Sequence, residues 1–426
     1  MERIENLLAY LDNAHSVYHA VAGIVWELEA EGYICLQERD EWDLYPGGKY
    51  YLTRGGSAVI AFRLPEGEPT GFMMSASHGD RPGFKLKEKG ELVSNYTRQS
   101  TEKYGGLIMS TWLDRPLSVA GRVLVQTPNG LESRLVDIDR DLLLIPNVAI
   151  HMNRQVNEGY AWNPAVDMLP LVGGKEAAGK LQQLLEQEAG GKLMGQDLYL
   201  YLRQKASLWG VEEAYISAAG LDDLACAWAC TQGFLSAAEN EAVNVLCVFD
   251  SEEVGSQSVQ GAASDLLESV LQRICDGCGW DVRQKLAQSF MLSADNAHAL
   301  HPNHPELADG NNAPILGGGV VLKFNANLKY TTDGVSAAIF HSVCDRAGVQ
   351  MQTYCNRADI PGGSTLGHVS LAHVSVPSAD IGLPQLAMHS CYETASARDA
   401  MAMADVMEAY YGMTLEVPSD GSYILR

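Results

Sequence analysis

No apolar run in the chain approaches the ~18 residues that a bilayer-spanning helix needs. The first residues, MERIENLLAYLDNA, lack the basic head, apolar middle and small-residue cleavage site of a secretory signal. Neither end carries a lipidation motif. Basic side chains are scarce, 30 against 53 acidic ones, which leaves a formal net charge of −23. So acidic a surface argues against nucleic acid or an anionic membrane as partner. Cysteines number nine, an odd count, and eight of them lie from Cys226 onward. That pattern fits free thiols in a reducing compartment, and a cytoplasmic location is expected. The redox-like pair Cys275 and Cys278 has no companion pair to complete a zinc knot. There is no Gly-x-Gly-x-x-Gly signature after a strand, no phosphate-binding loop among Gly317-Gly318-Gly319 or Gly362-Gly363-Ser364-Thr365, and no internal repeat. Hydrophobic residues make up 46% of the sequence, which excludes wholesale disorder. At 426 residues, two or three structural units are expected.

The periodicities sort the chain into three stretches. Residues 4–30 read as helix, through Ile4, Leu7, Leu8 and Leu11 and then Val17, Val21 and Leu28. Strand-like runs follow at 51–55, 57–64 and 71–78. From 86 to 215 short alternating segments such as RVLVQT and ESRLVDI are punctuated by glycine and proline, the mark of a β-rich unit. A Gly-bounded excursion at 173–192 holds one short helix. From 216 the α/β alternation returns. Helices are expected at 222–238, 258–275 and 396–411, and strands at 244–250, 289–295, 320–325, 349–355 and 368–376. The simplest architecture is an α/β domain built from residues 1–85 and 216–426, with a β-rich domain, 86–215, inserted.

Five islands place acids or imidazoles beside strand ends or helix starts. They are Ser77-His78-Gly79-Asp80, Leu221-Asp222-Asp223, Asp250-Ser251-Glu252-Glu253, Ser293-Ala294-Asp295 and Met388-His389-Ser390. Nitrogen and oxygen donors of this kind suit zinc or its first-row neighbours. A pair of such ions needs about four or five ligands and a further carboxylate to take a proton from the attacking water. Each island also has a plainer reading. His78 could be a turn histidine that Asp80 steadies. Asp222 could be an acid favoured in a first helical turn. Glu252 and Glu253 could be an ordinary acidic helix start, and His389 a satisfied core histidine. His298, His301 and His304 compete with Asp295, although Pro302 disrupts the helix that would align them. Lys323 and Lys329 could select an acidic substrate side chain or lie along the surface.

The islands do not stand alone. The strings SHGDRPGFKLK (77–87), TWLDRPLSVAGRV (111–123), LIPNVAIHMNRQVN (144–157), GLDDLACAWA (220–229), FDSEEVGS (249–256), SADNAHALHPNHPE (293–306), LKFNANLKY (322–330) and GLPQLAMHSCYE (382–393) follow one another in order along nearly the whole chain. Together they resemble the M18 family of metallo-aminopeptidases, in particular its aspartyl aminopeptidase group. The resemblance implies a twisted mixed sheet flanked by helices, of the di-zinc exopeptidase kind, with an inserted β-rich dimerisation domain. It implies two divalent ions per chain, zinc first, with cobalt or manganese as substitutes. By motif match His78, Asp222 and Asp295 would hold one ion, and Asp222, Glu253 and His389 the other. Glu252 would be the general base and Asp80 the residue that orients His78. His151 would reach across a dimer interface to the reacting carbonyl oxygen, and Lys323 would face the substrate. The implied substrates are short peptides with a free amino terminus, with acidic first residues a preference of part of the family. The implied assembly is a tetrahedral dodecamer put together from dimers.

The chain departs from the family pattern in four places. His78-Gly79-Asp80-Arg81-Pro82 stands for His-Thr-Asp-Ser-Pro, and Asp222-Asp223-Leu224 for Asp-Asn-Leu. Pro146-Asn147-Val148-Ala149-Ile150-His151 stands for Pro-His-Leu-Ala-Ile-His, and Asn327-Leu328-Lys329-Tyr330 for Asn-Gln-Arg-Tyr. These changes spare the implied ligands and bear on substrate preference. The competing readings are an M42- or M20-type metallohydrolase, and an inactive oligomeric shell or peptide-binding protein.

Overall fold

The computed structural model describes residues 2–426 except 361, 364 and 371. Its centre is a nine-stranded mixed sheet drawn from both ends of the chain. In spatial order the strands are Ile34–Cys35, Lys49–Arg54, Ala58–Arg63, Val243–Phe249, Phe72–His78, Phe290–Ala294, Ser378–Gly382, Val320–Phe324 and Met351–Cys355. The middle of this sheet decides where chemistry can sit. Val243–Phe249 and Phe290–Ala294 both run parallel to Phe72–His78, with Phe249 opposite His78 and Ser293 opposite Ala76. All three are buried along their whole length, which explains their unbroken apolar sequences. Their C-terminal ends therefore open on one edge, the usual ligand-binding edge of an α/β sheet. His78, the Asp250–Glu253 turn and Asp295 all stand there.

Helices cover both faces. Leu221–Ser236 and Ala397–Tyr411 pack together on one face, where Trp228, Phe234, Met403, Met407 and Tyr411 join a single apolar core. Leu266–Cys278 covers the other, burying Leu267, Val270, Leu271 and Ile274 against Phe62, Phe72 and Phe249. A second, six-stranded antiparallel sheet occupies the chain between Gly83 and Leu202, with its own core of Phe84, Leu117, Val119, Leu198 and Leu200. Helix Lys180–Ala189 lies on it. A third sheet carries Tyr215–Ala218 against Glu393–Ser396, and its far strands Pro384–Leu386 and Ala297–His298 lie beside the site.

The mixed α/β architecture matches the sequence expectation, with three local corrections. The expected helix over 4–30 is two helices, Glu2–Asn13 and Val17–Ala30, because Ser16 takes an extended backbone and its hydroxyl accepts the His19 N–H as an N-cap. The helix expected from 258 begins only at Leu266. The expected strand over 368–376 is instead led by a short helix, Leu366–Ser370. Val374 and Val376 bury beside Leu366 in the core without entering a ladder, so a two-residue alternation here marks packing and not a strand. Ser364 and Leu371, parts of two sequence stretches noted above, lie outside the described residues. All nine cysteines are free, including Cys275 and Cys278. Among the described residues no helix is long and apolar enough to cross a membrane.

Candidate metal centre

At the open edge of the main sheet the five islands meet. His78 ends its strand with a side chain 1% exposed. Its Nδ1 lies 3.0 Å from the Asp80 carbonyl oxygen and 3.4 Å from the Asp80 carboxylate. That leaves Nε2 aimed at the other islands, 3.7 Å from Asp222 Oδ1 and 4.0 Å from Glu252 Oε2. Asp222 stands at the start of Leu221–Ser236 on backbone that is not yet helical (φ −87°, ψ 104°), just after Gly220, whose φ of +68° turns the chain toward the helix. The other Asp222 oxygen lies 3.5 Å from His389 Nε2, and Glu253 Oε2 lies 3.4 Å from the same nitrogen. The second ring nitrogen of His389, Nδ1, is 2.7 Å from the Gly106 carbonyl oxygen, which fixes the ring's direction.

Donor atoms of His78, Asp222 and Asp295 fall within 4.8 Å of one another. So do those of Asp222, Glu253 and His389, and those of His78, Glu252 and Glu253. Asp222 is common to the first two groups. Its Oδ1 and Glu253 Oε1 are buried with no hydrogen-bond partner among the described residues, a costly state for a carboxylate unless a cation satisfies it. The donor set of imidazole and carboxylate is that of a first-row divalent ion. The residues present therefore fit such ions.

The electrostatics agree. Burial, reinforced by Asp295, Asp222 and Asp80, pushes Glu252 up to about 8. Burial, then Asp222, raises Glu253 well above the usual carboxylate range. Burial and Asp222 push Asp295 up to about 6 although Lys323 pulls it down. Burial disfavours charge on His78, yet Asp80, Asp223 and Glu252 outweigh it and hold the imidazole well above its ordinary value. Each shift has the same origin, an excess of carboxylate in a dry pocket with too little positive charge to balance it.

The chain matches the family described as aminopeptidase I zinc metalloprotease (M18) over residues 10–411. The chain belongs to the M18 family. It is 39% identical to the probable M18 family aminopeptidase 2 of Clostridium acetobutylicum, an alignment covering 97% of this chain and 99% of that one. Among solved structures it resembles Ape4 in its complex with Nbr1, with a TM-score of 0.93 and 33% identity over 96% of this chain and 85% of that one. It also resembles the S. cerevisiae mApe1 dodecamer, with a TM-score of 0.85 and 25% identity over 96% of each chain. This M18 protein is a metal-dependent peptidase.

The other sequence-selected residues of this M18 chain are placed as follows. Asp80 is buried, and its carboxylate accepts the Glu252 N–H at 3.1 Å, the Glu253 N–H at 3.2 Å and the Tyr104 hydroxyl at 2.7 Å. It therefore ties the His78 strand to the two-glutamate turn. Lys323 is 1% exposed and is neither a surface lysine nor an open cation. Its Nζ donates to the Asp295 and Asn296 carbonyl oxygens and lies 4.0 Å from the Asp295 carboxylate. The two added charges also point inward. Asp223 accepts the His78 N–H, and Arg81 donates to the His15 carbonyl oxygen. His301 and His304 are exposed and stand outside the donor groups. His151 is exposed in the connection between Ile145 and Leu171 and makes no hydrogen bond to the cluster among the described residues. Two residues escaped the sequence reading. Tyr104 comes from the second sheet and carried no local signal. Glu393, four residues after His389 in MHSCYE, carried one in that spacing.

Proposed function

We propose that this chain is a di-metal aminopeptidase that removes the N-terminal residue from short peptides. The observation that carries the reading is the pair of donor groups sharing Asp222. On this reading His78, Asp222 and Asp295 hold one ion and Asp222, Glu253 and His389 the other, and zinc is the ion these donors suit best. Such ions, when bound, polarise the scissile carbonyl and bring the pKa of water toward neutrality.

Glu252 is the general base. Its side chain is 16% exposed, more open than the neighbouring Glu253 at 4%, so it can meet both water and substrate. Its carboxylate takes the proton of the attacking water and delivers it to the leaving nitrogen. With positive charge in the cluster its affinity for protons falls from about 8 toward the value a base at neutral pH needs. Asp80 orients His78 and, by accepting the two glutamate N–H groups, sets where Glu252 and Glu253 stand. The acidic surroundings favour a substrate that brings its own ammonium group, a free amino terminus.

The assembly we infer is a dimer built through the second sheet unit and multiplied to a dodecamer; the similar mApe1 structure is described as a dodecamer. Around His151 the side chains Ile150 and Met152 are 48% and 82% exposed, apolar surface suited to cover by a second copy. There His151 would donate to the developing oxyanion of the partner's substrate. His151→Ala should then lower kcat by at least about tenfold while oligomer mass and Tm hold. Native kinetics in an intact oligomer would remove it from the site.

Preference for an acidic first residue is the finer reading carried by the aspartyl aminopeptidase resemblance. Lys323, already engaged by Asp295 and Asn296, does not supply an open cation for it. The test is a panel of aminoacyl-anilides with acidic, neutral and basic first residues, beside N-acetylated peptides, assayed with zinc, cobalt and manganese. Cleavage confined to free-amino substrates and abolished by chelation is expected. Cleavage of the acetylated peptides at equal rates would overturn the aminopeptidase reading.

A further inference from the structure

Glu393 is a carboxylate 1% exposed, at the start of strand Glu393–Ser396. That strand pairs with Tyr215–Ala218, Glu393 facing Ala218, and the partner strand leads through Gly220 into Asp222. The side chain reaches across this gap. Its Oε2 accepts the Asp222 N–H at 3.0 Å and its Oε1 accepts the His389 N–H at 2.6 Å. One carboxylate thus clasps the backbone of two residues 167 positions apart in the chain (389 − 222), both in the donor group with Glu253. The clasp on His389 matters locally, because that residue has φ of +67° and stands two residues after Ala387 at +56°, conformations that L residues adopt reluctantly. The Gly106 carbonyl then fixes the His389 ring from the far side. A buried carboxylate is expensive to keep, and packing alone would be served by an apolar residue.

We propose that Glu393 is a positioning residue for the metal centre, setting the separation of the Asp222 and His389 donor atoms through their backbone N–H groups. The proposal rests on the reading of Asp222 and His389 as ligands. Glutamine in its place keeps the length but offers one acceptor oxygen, so its NH2 group must face one of the two N–H donors. Aspartate keeps both acceptors but is one methylene shorter and cannot span both N–H groups.

The test titrates zinc into the metal-free full-length protein by calorimetry, alongside kcat, KM and Tm. The matched control is Asp399→Asn. Asp399 is equally buried and likewise accepts two backbone N–H groups, from Gly317 and Gly319, but lies outside the donor groups. Glu393→Gln should weaken zinc by about 10- to 100-fold and lower kcat more than it raises KM. Asp399→Asn should lower Tm and leave zinc affinity and kcat near native. Glu393→Asp should weaken zinc as well and decides the matter if the glutamine variant does not fold. Zinc affinity within about twofold of native in a folded Glu393 variant would overturn the proposal. An equal loss in Asp399→Asn, or failure of both Glu393 variants to fold, would also overturn it in favour of a purely structural role. A native chain that takes up no zinc would sink the reading of the centre itself, an outcome distinct from native uptake that Glu393 does not influence.

Discussion

Glu252→Gln should retain the native metal content and lose about 100-fold or more in kcat, the usual scale for removing a positioned general base. Glutamine matches glutamate in shape and cannot accept a proton at neutral pH, so the change isolates proton transfer. The backbone contact survives, because it is the Glu252 N–H, and not its side chain, that binds Asp80. Neither of the two donor groups that share Asp222 includes Glu252. The expectation is therefore a split between two measurements, metal stoichiometry unchanged and turnover collapsed, with KM little altered. Native turnover in the purified, metal-loaded variant would end the assignment of Glu252 as base. Loss of metal together with turnover would instead move Glu252 among the ligands, where its 4.0 Å approach to His78 Nε2 would be the reason.

Asp222→Asn should have the larger structural consequence. The two Asp222 oxygens face His78 at 3.7 Å and His389 at 3.5 Å, so the residue serves both donor groups at once. Asparagine keeps one oxygen and turns a donor toward one of the two donor groups. Its backbone N–H still reaches Glu393. The fold should persist, since the negative charge it removes comes from a pocket already crowded with Asp223, Glu252, Glu253 and Asp295. What should vanish is the response to metal. Ions at about 100 times their native Kd stabilise a protein by roughly 2.7 kcal/mol. The native protein should show a rise in Tm matching that stabilisation, and the variant should show little of it and no measurable turnover. A variant that still binds two ions with native affinity would contradict the shared role of Asp222.

The pattern of what the sequence disclosed follows from what kinds of signal it carries. His78, Glu252, Glu253 and Asp295 were legible because each follows a run of buried residues that must end at a sheet edge. Three parallel runs ending at one edge bring their termini together. Asp222 and His389 were legible less from periodicity than from the ordered strings they share with M18 proteins. Asp80 stands out in the sequence by its two-residue reach to His78. Its larger connection, to the Glu252 and Glu253 backbone, spans 172 and 173 residues and leaves no trace in local spacing. Tyr104 is hidden for the same reason, whereas Glu393 shows its four-residue spacing from His389 and hides only its bond to the Asp222 N–H, 171 residues away. A strand position does not reveal which face closes over it, so the sequence leaves Lys323 a surface or substrate-facing cation while the structure buries it. The helix break at Ser16 was missed because apolar spacing runs on through a cap, and 368–376 because alternation without partner strands resembles a strand.

Anomalous X-ray diffraction at the zinc edge, on crystals of the zinc-loaded protein, tests the whole account most directly. Two peaks per chain are predicted, one among His78, Asp222 and Asp295 and the other among Asp222, Glu253 and His389, with Asp222 touching both. A single peak elsewhere, or none at this edge of the sheet in a chain that still cleaves peptides, would contradict it.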